Sequence, residues 1–252
     1  SKAQNVFIQT RVPWYLLLEV NTSCQLRCTA CYQNDFSDSG LSTRQLLRLI
    51  DDIVESEVLY VTILGGEPTL RKDLITVIKR LRENGVFVKL ITNGLLIDEQ
   101  QASSLAETFI NQVEVSFDGI STVTHDRSRG VGNFDKAIKA IGVLQRAGIS
   151  RVAIIVTIDN VNIHEMSSLP RFLDDLNVKE VYLSRFKAVG RGATHNHASS
   201  LNVTELSYLN KLVDHWRNIG LTIEVTDINT CSCGRSSAVI DPKGNLRPCS
   251  FG

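Results

Sequence analysis

The stretch YLLLEVNTSCQLRCTACYQ, residues 15–33, joins an apolar run to a polar loop that carries Cys24, Cys28 and Cys31. Its first six residues have the length and the Leu, Val and Tyr content of a β-strand. The loop that follows holds half of the six cysteines of the chain within eight positions. In parallel α/β folds the loops leaving the carboxyl ends of strands gather on one rim, and ligands bind there. The first strand is thus expected to deliver three thiols to a ligand-binding rim.

Further apolar runs at 59–64, 86–91, 112–117, 151–158 and 179–185 are each rich in Val, Ile, Leu, Phe or Tyr. They alternate with amphipathic stretches at 42–56, 70–84, 98–107, 133–147 and 163–176, with another at 203–219. This alternation predicts six βα units around a parallel sheet. Ser42 with Gln45, Asp98 with Gln101 and Asn202 with Glu205 have the spacing of helix capping boxes. Gly85, Gly148 and Gly220 stand where those helices should end. Leu46, Leu47, Ile50, Ile53 and Val54 supply one helix with an apolar face for the sheet. After Gly220 the pattern changes: residues 221–225 read as a strand, and 238–246 as a β-hairpin around Asp241-Pro-Lys-Gly244. The expected organisation is an N-terminal arm at 1–12, an α/β domain at 13–220 and a separate small element at 221–252.

With 252 residues, 43% of them hydrophobic and 21% charged, the composition is that of a globular domain able to bury a core. Lys plus Arg and Asp plus Glu are both 27, so no overall field favours nucleic acid or an anionic membrane. No apolar run approaches the roughly 18–20 residues that span a bilayer, and no secretory signal opens the chain. A cytoplasmic location is expected. There, clustered cysteines serve metals or redox chemistry more often than disulfides. The chain begins without Met and ends three residues after Cys249, which reads as part of a longer protein.

A CxxxCxxC loop can wrap three thiolates around an iron-sulfur cube, each on its own iron, leaving the fourth iron open. The competing reading is structural zinc, which asks for a nearby fourth ligand. No histidine is closer in sequence than His125. After the second strand comes Leu64-Gly-Gly-Glu-Pro68. Gly65 and Gly66 permit close backbone approach to a ligand, and the Glu67 carboxylate can accept hydrogen bonds from an ammonium group. Gly and Pro68 would equally serve a tight turn into the next helix. Ile91-Thr-Asn-Gly94 follows the third strand and Val115-Ser-Phe-Asp-Gly119 the fourth, bringing Thr92, Asn93, Ser116 and Asp118 to the rim.

In this order these motifs resemble those of the radical S-adenosylmethionine (SAM) superfamily, over roughly residues 13–200. The resemblance implies a partial (β/α)6 TIM-like barrel. It implies a [4Fe-4S] cluster on Cys24, Cys28 and Cys31 whose open iron chelates SAM. Gly65, Gly66, Glu67 and Pro68 would hold the methionine amino group, Thr92 and Asn93 the methionyl end, and Ser116 and Asp118 the ribose. The run His125-Asp-Arg-Ser-Arg-Gly130 resembles a subgroup loop in which Arg129 contacts a carboxylate, with a structural salt bridge as the alternative. Where the family often has an aromatic residue before the third cysteine, this chain has Ala30, with Tyr32 after it.

Cys233, ten residues, Gly244, four residues and Cys249 resemble the start of the auxiliary-cluster region called SPASM, or its shorter relative Twitch. On that resemblance Cys233 and Cys249, with Cys231, hold an auxiliary iron-sulfur cluster in an incomplete C-terminal region. Cys231 is also a candidate catalytic hydrogen-atom donor. Gly190-Arg-Gly192 resembles a loop at the substrate opening, so Arg191 is expected to meet substrate. His195 and His197 read as a solvated loop, and Trp14 and Tyr15 as packing. The implied activity is reductive cleavage of SAM to a 5′-deoxyadenosyl radical that takes hydrogen from a substrate. The subgroup motifs look most like maturases of ribosomally made precursor peptides. Modification of a tetrapyrrole side chain is the alternative, and a non-enzymatic iron-sulfur or zinc scaffold a third reading. Implied partners are flavodoxin or ferredoxin as reductant and a separate leader-peptide recognition protein.

Overall fold

Residues 12–194, 199–226 and 234–250 are described by the computed structural model. Its strands are β1 (Tyr15–Glu19), β2 (Tyr60–Leu64), β3 (Phe87–Thr92), β4 (Gln112–Phe117), β5 (Val152–Ile158) and β6 (Glu180–Arg185), followed by β7 (Thr222–Thr226), β8 (Ser237–Ile240) and β9 (Leu246–Arg247). The helices are α1 (Thr43–Glu55), α2 (Leu74–Glu83), α3 (Glu99–Glu107), α4 (Thr122–Arg129), α5 (Asn133–Arg146), α6 (Leu169–Asp175) and α7 (Val203–Asn218). One sheet runs β7-β6-β5-β4-β3-β2-β1-β8-β9, parallel except for the β8–β9 hairpin. The first six strands form the partial (β/α)6 barrel. The tail does not stand apart in its pairing, because β8 runs parallel to β1 as the next strand of the same sheet.

Side chains on a strand alternate between its two faces, and here the faces meet different surroundings. Leu16, Leu18, Val61, Ile63, Val88, Leu90, Val113, Val115, Ile154, Val156, Val181 and Leu183 are buried in the core. The helices answer with Leu46, Ile50 and Ile53 of α1, Leu74, Val77, Ile78 and Leu81 of α2, and Ala137, Ile141 and Leu144 of α5. The intervening positions Tyr15, Leu17, Lys89, Ile91, Glu114, Ser116, Ile155, Thr157, Tyr182 and Ser184 line a central cavity instead. A one-residue slip would exchange the two sets, so the register is strongly specified.

The capping boxes at Ser42 and Asn202 are present in full. At Asp98 the carboxylate accepts from the Gln101 amide. The stretch at 70–84 divides into a 3-10 turn at Pro68–Leu70 and α2, and that at 163–176 into a 3-10 turn at Ile163–Ser168 and α6. The His125–Gly130 segment is not a loop, because residues 122–129 form helix α4, started by Ser121, whose hydroxyl accepts from the Thr124 amide. A short helix of sequence TVTHDRSR has almost no apolar period to reveal it.

His125 on α4 is wholly buried, with ring centroids 5.1 Å from Phe117 and 5.5 Å from Phe134. Neither ring nitrogen has a hydrogen-bond partner among the described residues. Burial first, and then the Arg129 charge, push its pKa down to about 4. The unfolded chain therefore takes up this proton at a higher pH than the folded one. The folded state loses stability as pH falls from 6.5 towards 4, by about 3 kcal/mol once that window is crossed. His125→Phe is expected to leave the protein at least as stable at pH 7.5, with an advantage over the parent that widens at pH 5. Denaturant unfolding at the two pH values measures this.

Candidate functional site

The site begins with the backbone of the segment after β1. Val20 N–H donates to the Leu64 carbonyl (2.9 Å), Gly66 N–H to Asn21 (2.8 Å) and Glu67 N–H to Ser23 (2.8 Å), so residues 20–23 run alongside the glycine-rich loop. The glycines have a structural task besides lining the cavity. A Cβ at Gly66 would lie 2.2 Å from the Ser23 oxygen and 2.3 Å from that of Thr22, and one at Gly65 2.4 Å from the Asn21 oxygen. Both glycines therefore admit the cysteine-bearing segment itself. Gly66→Ala forces backbone against backbone; it is expected to cost about 2 kcal/mol, and thermal unfolding reads it as a fall of several degrees.

Cys24, Cys28 and Cys31 open onto the cavity inside the sheet, whose volume is about 550 Å³, within the roughly 300–1,000 Å³ of small-molecule sites. Gly65, Gly66, Glu67, Thr92, Asn93, Ser116, Asp118, Arg129 and Cys249 line the same cavity. Pro68 is buried at the first position of its 3-10 turn. Cys231, Cys233, His195 and His197 lie outside the described residues.

Burial raises the pKa of all three thiols, and that of Cys28 is pushed up to about 12 against the pull of Arg129. At neutral pH Cys28 is thus a thiol, and its thiolate forms together with a cationic partner such as bound iron. Among the described residues no three His, Cys, Asp or Glu side chains converge as one metal ion would require. A cubane corner makes a different demand, since its three thiolates bind separate irons. Three thiols facing one chamber fit that donor set.

Glu67 is buried at 1% exposure, and its carboxylate binds within the protein. Oε1 accepts from Thr69 N (3.1 Å), Thr69 Oγ1 (2.5 Å) and Thr92 Oγ1 (2.7 Å), and Oε2 from Asn93 N (2.8 Å). Desolvation raises its pKa while these donors pull it back. Asn93 bridges to the cysteine loop: its Oδ1 accepts from Gln25 Nε2 at 3.1 Å and its Nδ2 lies 3.8 Å from Cys24 Sγ.

Asp118 accepts from Ser128 Oγ (2.7 Å) and from Arg129 NH2 (2.9 Å), both on α4. Burial works against its charge, yet Arg129 holds its carboxyl below the usual range. The salt-bridge alternative for Arg129 is therefore realised, while its buried Nε has no partner among the described residues. Its charge also reaches Cys28 and Cys31. Tyr32 donates its hydroxyl to Glu19 Oε1 at 3.3 Å, and Arg247 of the tail binds Glu19 Oε2 at 2.8 Å. Beside Tyr32, the cavity-lining aromatic ring of this loop is Phe36, with the Arg27 guanidinium 4.2 Å from its centroid.

Arg191 does not line the cavity. Contrary to expectation its side chain meets the cysteine loop, donating to the carbonyls of Cys28 (3.2 Å) and Arg27 (3.1 Å).

A polar floor of the cavity was missed by sequence reasoning. Lys89 Nζ and Glu114 Oε1 are 2.8 Å apart, with Lys89 4.2 Å from the Tyr182 ring centroid, and Gln112 Nε2 donates to the Tyr182 hydroxyl at 3.0 Å. Burial pushes Glu114 up to about 7 against the pull of Lys89. The legible signal was a charged residue inside each of the apolar runs FVKLIT and QVEVSF, in strands whose other face is buried.

The Radical SAM superfamily model matches residues 18–173. Over 254 aligned residues, covering 95% of this chain and 65% of the relative, the chain is 30% identical to the mycofactocin maturase MftC of Mycobacterium tuberculosis. It is 34% identical over 175 residues to the Fe-coproporphyrin III synthase of Methanosarcina barkeri, covering 68% of this chain and 43% of that protein. The structure of Streptococcus suis SuiB bound to the precursor peptide SuiA shares the fold, with a TM-score of 0.82 at 18% identity, over 96% of this chain and 60% of that one. The chain thus spans about two thirds or less of the length of these proteins. Among the described residues no helix is long and apolar enough to cross a membrane.

Proposed function

The chain belongs to the radical SAM superfamily, and on that premise we propose that it cleaves SAM reductively and takes a hydrogen atom from a precursor peptide. The observation that carries this reading is the sharing of one cavity by Cys24, Cys28 and Cys31 with the residues of the glycine-rich, Thr92-Asn93 and Ser116–Asp118 loops. A scaffold that stored a cluster would need the thiols but not the other loops.

When bound, the cluster would supply the one electron that breaks a carbon–sulfur bond of SAM, releasing methionine and the 5′-deoxyadenosyl radical. Cys24, Cys28 and Cys31 would hold that cluster as its three thiolate ligands. Glu67 fixes the Thr69, Thr92 and Asn93 backbone and hydroxyl groups around the methionyl end and offers Oε2 to the ammonium group. Arg129, anchored by Asp118, presents positive charge to the carboxylate and to the thiolates. Ser116 faces the ribose. The walls of the sheet exclude bulk water from the reacting atoms.

The peptide substrate is supported by the maturase MftC, whose similarity covers 95% of this chain, and by the SuiB fold. The similarity to Fe-coproporphyrin III synthase favours a tetrapyrrole as the second reading. Cys249 on the cavity wall supports an auxiliary cluster, with Cys231 and Cys233 as its further ligands and Cys231 as the alternative hydrogen-atom donor. Flavodoxin or ferredoxin would supply the electron in the cytoplasm, and a separate protein would present the leader peptide.

The test is anaerobic reconstitution with iron and sulfide, followed by SAM and dithionite. The expected products are 5′-deoxyadenosine and a mass change in a candidate precursor peptide. A mass change in an iron porphyrin alone would move the assignment to the second reading. Zinc held at the first loop, or a cluster whose spectrum ignores SAM, would end both.

A further inference from the structure

Strands β1 and β6 are not paired, and four strands, β2 to β5, lie between them in the sheet order. Yet their carboxyl-end loops are tied together. Arg191 N–H donates to the Gln33 carbonyl (3.2 Å) and Gly192 N–H to that of Cys31 (3.0 Å). The Arg191 guanidinium adds two bonds, Nε to the Cys28 carbonyl (3.2 Å) and NH2 to the Arg27 carbonyl (3.1 Å). Gly190 makes the approach feasible: its φ is +57°, and a Cβ there would lie 2.0 Å from the Tyr32 oxygen.

We infer that Arg191 is a positioning residue for the cluster, strapping residues 27–33 in place and fixing a positive charge beside Cys28 and Cys31. The inference rests on the reading that the cysteine loop holds an iron-sulfur cluster. Four hydrogen bonds from two consecutive residues, Arg191 and Gly192, constrain the loop at both ends of the Cys28–Cys31 span. In its described hydrogen bonds the Arg191 side chain addresses backbone carbonyls, whereas Arg129 is paired with the Asp118 carboxylate. Reduction adds an electron to the cluster, and a nearby fixed cation stabilises the more negative state. Arg191 therefore raises the reduction potential, making it easier for the cluster to accept the electron that SAM cleavage requires.

Two measurements on Arg191→Gln, Arg191→Lys and Gly190→Ala test the two halves. In the metal-free protein, with folding verified by circular dichroism, alkylation of Cys28 and Cys31 and amide exchange over residues 27–33 are expected to quicken several-fold in Arg191→Gln and Gly190→Ala. Parental rates in both variants would overturn the strap. In the cluster-loaded protein at matched iron content, a titration followed by electron paramagnetic resonance is expected to give a more negative potential for Arg191→Gln and a near-parental one for Arg191→Lys. An unshifted potential in Arg191→Gln would overturn the charge effect. If the parent takes up no cluster, the proposed function fails, while the metal-free measurement still decides the strap.

Discussion

Cys28→Ala is expected to reduce 5′-deoxyadenosine formation below detection and to remove the iron bound at the first loop. The middle thiol cannot be replaced by a neighbour. On the proposed reading Cys24 and Cys31 each hold an iron of their own, and the segment that carries them is tied along both edges, to residues 64–67 on one side and 191–192 on the other. A cluster held by two thiolates would be exposed to loss by oxidation. Iron content, the visible spectrum and chromatography of the nucleoside product read the result together. Parental product formation from Cys28→Ala would show that the chemistry does not depend on this loop.

Asp118→Ala is expected to be the most damaging single change to the metal-free fold. Its carboxylate binds Arg129 at 2.9 Å, and the arginine side chain is only 12% exposed. Removing one member of a buried pair strands the other charge, at a cost of about 3–5 kcal/mol. For a chain of this size that lowers the midpoint of thermal unfolding by about 10 °C. The charge of Arg129 also acts on Cys28 and Cys31, so a cluster with anionic ligands returns some of the lost compensation. The fall is therefore expected to be smaller after reconstitution than before. Calorimetry on both forms measures it, and equal losses would separate Arg129 energetically from the thiols.

The six barrel strands were legible to within about one residue, because each is a short run rich in apolar residues and each pairs in parallel with its successor. The rim loops were legible because polar groups there interrupt apolar runs at their carboxyl ends. What escaped were features that depend on distant backbone. Arg191 was read as facing a substrate, yet it caps carbonyls more than 160 positions earlier in the chain. That Gly65 and Gly66 also make room for residues 21–23 is a second such feature. Helix α4 escaped for a different reason, since its buried residues His125 and Asp126 are polar. Asp126 is spent on the start of α5, accepting from Gly132 and Phe134 N–H.

The barrel strands β1, β3, β4, β5 and β6 present one row of side chains to the helices and the next row to the chamber. The two rows divide the labour: folding leans most on the outer, and what the chamber admits depends on the inner. Changes at Ile91, Ile155 or Thr157 can thus alter the guest while the scaffold keeps its shape, whereas Lys89 and Glu114, a buried ion pair, have to change together. Diversification of such an architecture would run along the inner rows, and a library over those positions, with the ion pair varied as one unit, is the economical way to retarget it.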